Sequence, residues 1–197
     1  MGVNLKTVNI LVVGVGGQGV VAASDIISDM ALARGLDVKK SEIHGMSQRG
    51  GVVSSFVRFG TTVASPLPFK NDIDFIISFE EMEALRWSDH IKEETKIIIN
   101  TLKIKPANLS INKQKYPDVK STLNGSNVYY LDGTGEAKKI GNEKVVNSFM
   151  IGAFCAFNNF TADDFNHALL KRVKKYTEEN MLAFNKGMEM VKQYVLS

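Results

Sequence analysis

The sequence predicts an α/β protein, a three-layer Rossmann-like domain with a mostly parallel (mixed) sheet and a helical C-terminal third. Three observations predict it. Residues 8–13 form a largely apolar, β-branched run suited to a strand covered on both faces, and a glycine-rich turn then leads into a helical run over 20–34. Further short runs read as strands at 36–43, 52–59, 74–79, 96–100 and 128–132. From Lys144 onward the apolar residues fall at helical spacing instead. At 197 residues the chain suffices for one domain with a full core, and residues 1–197 are expected to form a single unit.

The turn after the first strand reads Gly14-Val-Gly16-Gly17-Gln18-Gly19, a G-x-G-x-x-G spacing. In that spacing the first glycine permits a tight turn, the second lets backbone approach a ligand, and the third lets helix and strand pack closely. Uncapped N–H groups at the start of the following helix favour an anion. Gly14, Gly16, Gly17, Gln18 and Gly19 are therefore candidate ligand contacts, although a parallel sheet also uses such glycines for packing alone. Along the helix Asp25, Ser28 and Asp29 make a narrow polar stripe, and Arg34-Gly35 supplies its stop. The strand over 36–43 then completes a βαβ unit. Glu42 falls about twenty residues past the glycines, where a dinucleotide fold places its ribose carboxylate.

A dinucleotide domain would continue with a second helix, and here it does not. His44-Gly-Met-Ser47-Gln48-Arg49-Gly50-Gly51 leads straight into the β-rich run 52–59, which suggests a hairpin-like element. Polar donors crowded between glycines on a loop make His44, Ser47, Gln48, Arg49 and Gly50 a second set of candidate binding residues. Arg49 is suited to clamp a phosphate or carboxylate with two parallel bonds. The blander alternative pairs Arg49 with a carboxylate such as Glu42.

Ser65-Pro-Leu-Pro68 is an extended connection. After the strand at 74–79, a helix from Glu80 to about His90 opens on Glu80, Glu81 and Glu83, carboxylates that suit the helix dipole and read as a solvated helix start rather than metal ligands. Residues 101–127 are a polar, proline-punctuated excursion. Residues 144–157 are apolar on nearly every side and should be the central buried helix, with Asn147 its notable polar residue. Thr161-Ala-Asp-Asp164 resembles a capping box opening a helix to about Val173. From Thr177 a last helix carries Met181, Phe184, Met188, Val191 and Val195 as a core or interface stripe.

Mixed charges giving a net +3 argue against nucleic-acid binding. No apolar run reaches the roughly 20 residues a membrane span needs, and glycines interrupt the one stretch that imitates a signal sequence. The single Cys155 cannot form an internal disulfide, nor by itself hold a zinc ion or iron–sulfur cluster, and a cytoplasmic location is expected. No residue is assigned as catalytic or as a metal ligand.

Gly14-Val-Gly-Gly-Gln-Gly19, Glu42-Ile-His-Gly-Met-Ser-Gln-Arg-Gly-Gly51, Phe79-Glu-Glu-Met-Glu-Ala-Leu-Arg86, the stretch from Gly141-Asn to Asn147, and Asn180-Met-Leu-Ala-Phe184 with Gly187 occur in this order over nearly the whole chain. In these motifs the chain resembles the gamma-type domain of the 2-oxoacid:ferredoxin oxidoreductases, most closely the small subunit of the indolepyruvate branch. The glycine turn alone is weak; the loop at 44–51 is the more specific motif, because the pyruvate and 2-oxoglutarate branches typically carry a tyrosine- and proline-containing loop there. The resemblance implies a subunit of an enzyme that oxidatively decarboxylates an arylpyruvate to an acyl-CoA and reduces ferredoxin. Thiamine diphosphate, magnesium and 4Fe-4S clusters would be held mainly by a larger alpha subunit, since this chain lacks a Gly-Asp-Gly followed by paired asparagines and has one cysteine. No cofactor would be held tightly here. The implied partners are that subunit, ferredoxin through the complex, and the substrates CoA and 2-oxo acid, with a homodimer open for the isolated chain. The glycine turn and the 44–51 loop would face the active site and guide CoA, or contact the alpha subunit alone. Three alternatives stay open: a gamma subunit for pyruvate or 2-oxoglutarate, a stand-alone NAD(P)-binding oxidoreductase, and a non-enzymatic binding module.

Overall fold

In the computed structural model, which describes residues 6–45, 51–105, 115–125 and 127–196, six strands form one sheet in the order β2-β3-β1-β4-β5-β6. The strands are β1 (Val8–Val15), β2 (Asp37–His44), β3 (Val52–Gly60), β4 (Phe75–Ser78), β5 (Lys96–Asn100) and β6 (Val128–Leu131). β1, β4, β5 and β6 pair in parallel, and β3 runs antiparallel to both of its neighbours. The sheet is therefore mixed and mostly parallel, as the sequence predicts.

Alternation along each strand divides the core into two layers. Ile10 and Val12 of β1 face α1 (Val20–Ala33) and the C-terminal helices, in a cluster with Ile27, Met30, Phe149 and Phe154. Leu11 and Val13 face the other way, toward α2 (Glu81–Leu85) and α3 (Val119–Thr122), packing with Phe56, Ile76, Ala84 and Val119. The C-terminal third adds α4 (Gly133–Ile140), α5 (Val146–Cys155), α6 (Ala162–Arg172) and α7 (Thr177–Leu196). Every residue of α5 from Ser148 to Cys155 is buried, and burial pushes the Cys155 thiol well above its usual range, leaving it unreactive.

Local signals act where they were expected. Gly35 takes φ +74° past the end of α1, and Leu36 and Gly35 donate N–H bonds to Ala31 and Leu32, closing a Schellman motif. Thr161 and Asp164 form a reciprocal capping box at α6. Arg34 then grips Asp164 with two parallel bonds, Nε to Oδ1 at 3.1 Å and Nη2 to Oδ2 at 2.6 Å, so the end of α1 is tied to the start of α6. The Arg34 guanidinium, helped by Thr161, holds the Asp164 carboxyl down to about 2. A carboxyl depressed on folding adds stability above its unfolded pKa and loses it as pH falls through the folded value. Unfolding titrations from about pH 4 to about pH 2 should show wild type losing more stability than Arg34→Met, and equal losses would overturn this role.

Several expectations are corrected. The run from Glu80 to His90 is not one helix: α2 ends at Leu85, Trp87 packs edge-on against Phe56 at 5.5 Å, and a separate 3-10 turn follows at Ser88–His90. Glu80, Glu81 and Glu83 are not a solvated helix start. All three are buried, because Tyr116, Lys103 and Arg86 respectively cover them. Burial accordingly raises the Glu83 carboxyl above its ordinary value. The strand after α1 does not sit beside β1, because β3 intervenes. Glu42 therefore lies on the outermost strand, 2.6 Å from Lys40, not where a dinucleotide ribose carboxylate would stand. α4 was not anticipated, since its two glycines and three charges hide a helix that begins on the Asp132 cap.

Candidate functional site

Four parallel strands end on one edge of the sheet, and in open α/β sheets ligands bind in the crevice outside such carboxyl ends. A cleft of about 540 Å³ opens there. The glycine turn contributes Gly17, Gln18 and Gly19; Phe79 follows β4, Asn100 ends β5 and Leu102 lies just past it; Thr134, Glu143, Lys144, Val146 and Asn147 come from α4, α5 and the link between them.

The glycines have roles different from those their spacing implies. Gly14 is the penultimate residue of β1, and a Cβ there would come within 3.0 Å of Phe79 and nearer still to Gln18 and Val20. Gly17 and Gly19 make the turn, with φ of +96° and +79°. Gly19 also meets α5: a Cβ would sit 2.2 Å from Nδ2 of Asn147, which donates to the Gly19 carbonyl at 3.3 Å. α1 thus starts without a side-chain cap, its N–H end turned toward the cleft.

Polar side chains hold the cleft open. Gln18 accepts the Val15 N–H at 2.7 Å and donates to the Phe79 carbonyl at 3.2 Å. Buried Asn100 donates to the same carbonyl at 3.0 Å and to the Thr134 hydroxyl at 2.9 Å, while its Oδ1 accepts the Thr134 N–H at 3.1 Å. The ends of β1, β4 and β5 and the start of α4 are thereby locked around one carbonyl. Lys144 stands exposed on the lining, and among the described residues no carboxylate pairs with it.

Of the residues singled out from sequence, Gly17, Gln18 and Gly19 line the cleft, Gly14 packs beneath it, and Gly16 is exposed beside it. Gly16 donates its N–H to the Gly51 carbonyl at 2.8 Å, so the glycine turn and the base of the 44–51 loop are neighbours. The backbone of His44 pairs with Val53 in the β2–β3 ladder. Ser47, Gln48, Arg49 and Gly50 lie outside the described residues. The sequence reading missed Asn100, Thr134 and Lys144. A signal for the first two existed: each stands at or just past the carboxyl end of a predicted strand.

Neither thiamine diphosphate nor an iron–sulfur cluster fits the donors seen here. The sole cysteine is deep in α5, and among the described residues the cleft lining offers one carboxylate, the exposed Glu143. Among the described residues no helix is long and apolar enough to cross a membrane.

Comparison with known proteins points in the same direction as the motifs. Residues 9–190 match the family described as pyruvate ferredoxin/flavodoxin oxidoreductase. The chain is 34% identical over 189 residues to indolepyruvate oxidoreductase subunit IorB of Methanothermobacter thermautotrophicus, covering 91% of this chain and 95% of that one. It is 33% identical to the subunit of the same name from Pyrococcus horikoshii, covering 96% and 98%. The fold is similar to the crystal structure of the keto/oxoacid ferredoxin oxidoreductase gamma subunit from Geobacter sulfurreducens, with a TM-score of 0.70 at 22% identity over 94% of this chain and 99% of that chain.

Proposed function

Because this chain belongs to the pyruvate ferredoxin/flavodoxin oxidoreductase family, we propose that it is the small subunit of a 2-oxoacid:ferredoxin oxidoreductase acting on indolepyruvate or a related arylpyruvate. The observation that carries this is the 33–34% identity, over more than nine-tenths of the chain, to two subunits named for indolepyruvate. The reaction cleaves the bond between the carboxylate and the keto carbon. Carbon dioxide leaves, the acyl carbon is oxidised and joined to the CoA sulfur, and the electrons pass to ferredoxin. Thiamine diphosphate, held by the larger subunit, supplies the carbanion chemistry when bound.

This chain's own contribution is positional. The cleft joins an uncapped helix N-terminus, the Gly17 and Gly19 backbone and the Lys144 ammonium, the donor set that polyphosphate esters require. CoA, with its pyrophosphate and 3′-phosphate, is the substrate of this reaction with that chemistry. The chain docks on the thiamine subunit with this edge of the sheet facing the reacting acyl group.

Anaerobic purification of the tagged chain from its native cell tests the assembly. The expected result is a larger, brown partner and oxidation of indolepyruvate or phenylpyruvate that requires CoA and ferredoxin. A colourless chain that purifies alone overturns it, and turnover of pyruvate or 2-oxoglutarate in place of arylpyruvates overturns the substrate. Within the assembled enzyme, Lys144→Ala should raise the KM for CoA about fivefold to tenfold while leaving that for the oxo acid unchanged, the size of one lost charged contact. An unchanged CoA KM removes the cleft from the CoA path.

A further inference from the structure

Glu80 is fully buried, and both of its carboxylate oxygens are engaged. Oε2 accepts the Glu83 N–H at 3.1 Å and so caps α2. A cap needs no more than that. Oε1 does something separate: it accepts the Ile104 N–H at 2.9 Å and the Tyr116 hydroxyl at 2.5 Å. Ile104 and Tyr116 stand on the outgoing and returning limbs of the connection between β5 and α3, so a single oxygen holds both limbs.

Neighbouring bonds reinforce the same join. The Glu81 N–H donates to the Leu102 carbonyl at 3.1 Å, and the Met82 N–H donates to the Tyr116 hydroxyl at 2.8 Å. The Lys103 ammonium lies 3.4 Å from Glu81 Oε2 and 5.5 Å from the centre of the Tyr116 ring. Leu102 lines the cleft, and so does Phe79, the residue before Glu80. The bonds at Glu80 and Glu81 therefore fix one cleft wall, which is made from the segments that leave β4 and β5 just past the last paired residues of their ladder, Ser78 and Ile99. A carboxylate is costly to bury unless its oxygens are satisfied, so this join has one strongly preferred geometry.

We propose that Glu80, acting through Tyr116 and Ile104, is a positioning residue for the cleft: it clamps the β5–α3 connection so that Leu102 and Phe79 stand as a fixed wall against the CoA that the cleft is read to receive. This rests on the CoA reading given above. Burial, and then the hydrogen bond to Glu80, raise the Tyr116 phenol above its usual range, so it stays a donor across neutral and mildly alkaline pH.

Tyr116→Phe is the test, because it removes only the hydroxyl. In the full chain, amide exchange at Ile104 and Met82 should quicken about tenfold; in the assembled enzyme the KM for CoA should rise about fivefold with kcat held within about twofold, as expected for one lost hydrogen bond in a ground-state contact. Lys144→Ala, measured in parallel, separates the two ideas. Unchanged exchange at Ile104 overturns the clamp. Faster exchange with an unchanged CoA KM overturns its role at the site, provided Lys144→Ala raises that KM. If neither variant moves the KM, the CoA reading has failed and the positioning role fails with it.

Discussion

Gly187→Ala should lower the stability of the chain by about 3–5 kcal/mol, in the range of severe core overpacking. For a chain of this size that is a fall in Tm on the order of 10 °C. A Cβ at Gly187 would lie 1.9 Å from the carbonyl oxygen of Phe149 and 2.8 Å from its carbon. The contact is reciprocal, since a Cβ at Gly152 would lie 1.9 Å from the carbonyl oxygen of Phe184. α5 and α7 thus cross backbone to backbone. No side chain can swing aside to make room, so a methyl group must push the helices apart and loosen the contacts around Phe149, Phe154 and Phe184. The sign of the effect is diagnostic. In an uncrowded helix interior alanine is favoured over glycine by about 1 kcal/mol, so a stabilised Gly187→Ala would show that the helices do not cross here. Gly141→Ala is the control: its φ is +90° but no atom lies within 4 Å, and strain alone should cost about 1 kcal/mol. Thermal unfolding of the two variants measures both.

Asn100→Ala should cost about 2–3 kcal/mol, because it strands buried partners rather than merely removing contacts. Asn100 is 1% exposed and supplies both a donor and an acceptor at the carboxyl edge of the sheet. Without it the Phe79 carbonyl keeps only Gln18, and the Thr134 N–H loses its acceptor. Asn100→Asp isolates the donor. The shape is kept, but a carboxylate faces the Phe79 carbonyl, and the loss should equal or exceed that of alanine. Denaturant unfolding that finds Asn100→Asp as stable as wild type would show that the amide does not hold this edge. Because Asn100 lines the cleft, the CoA role proposed for that cleft predicts that both variants also weaken CoA use in the assembled enzyme.

Local pattern carried much of this fold. The strand at 96–100 has its predicted limits, and the turn at Gly17 and Gly19, the stop at Gly35 and the capping box at Thr161 form as their residue types dictate, because each depends on atoms a few residues apart. The motifs spread along the chain also carried its family, independently of any geometry. Pairing order was decided only in three dimensions. The hydrophobic period of 52–59 does not say that β3 lies between β1 and β2, yet that insertion moves Glu42 to the edge and removes the dinucleotide site its spacing suggested. The same holds for Glu80, Glu81 and Glu83. Charge alone placed them in water, whereas Tyr116, Lys103 and Arg86 cover them, two of these from a connection that sequence periodicity left without structure. The sequence by itself determined the six strands, the first helix, the three last helices and which family the chain belongs to; tertiary structure decided where the short helices between them form, which polar groups are buried and what lines the cleft, because burial and pairing depend on partners far away along the chain.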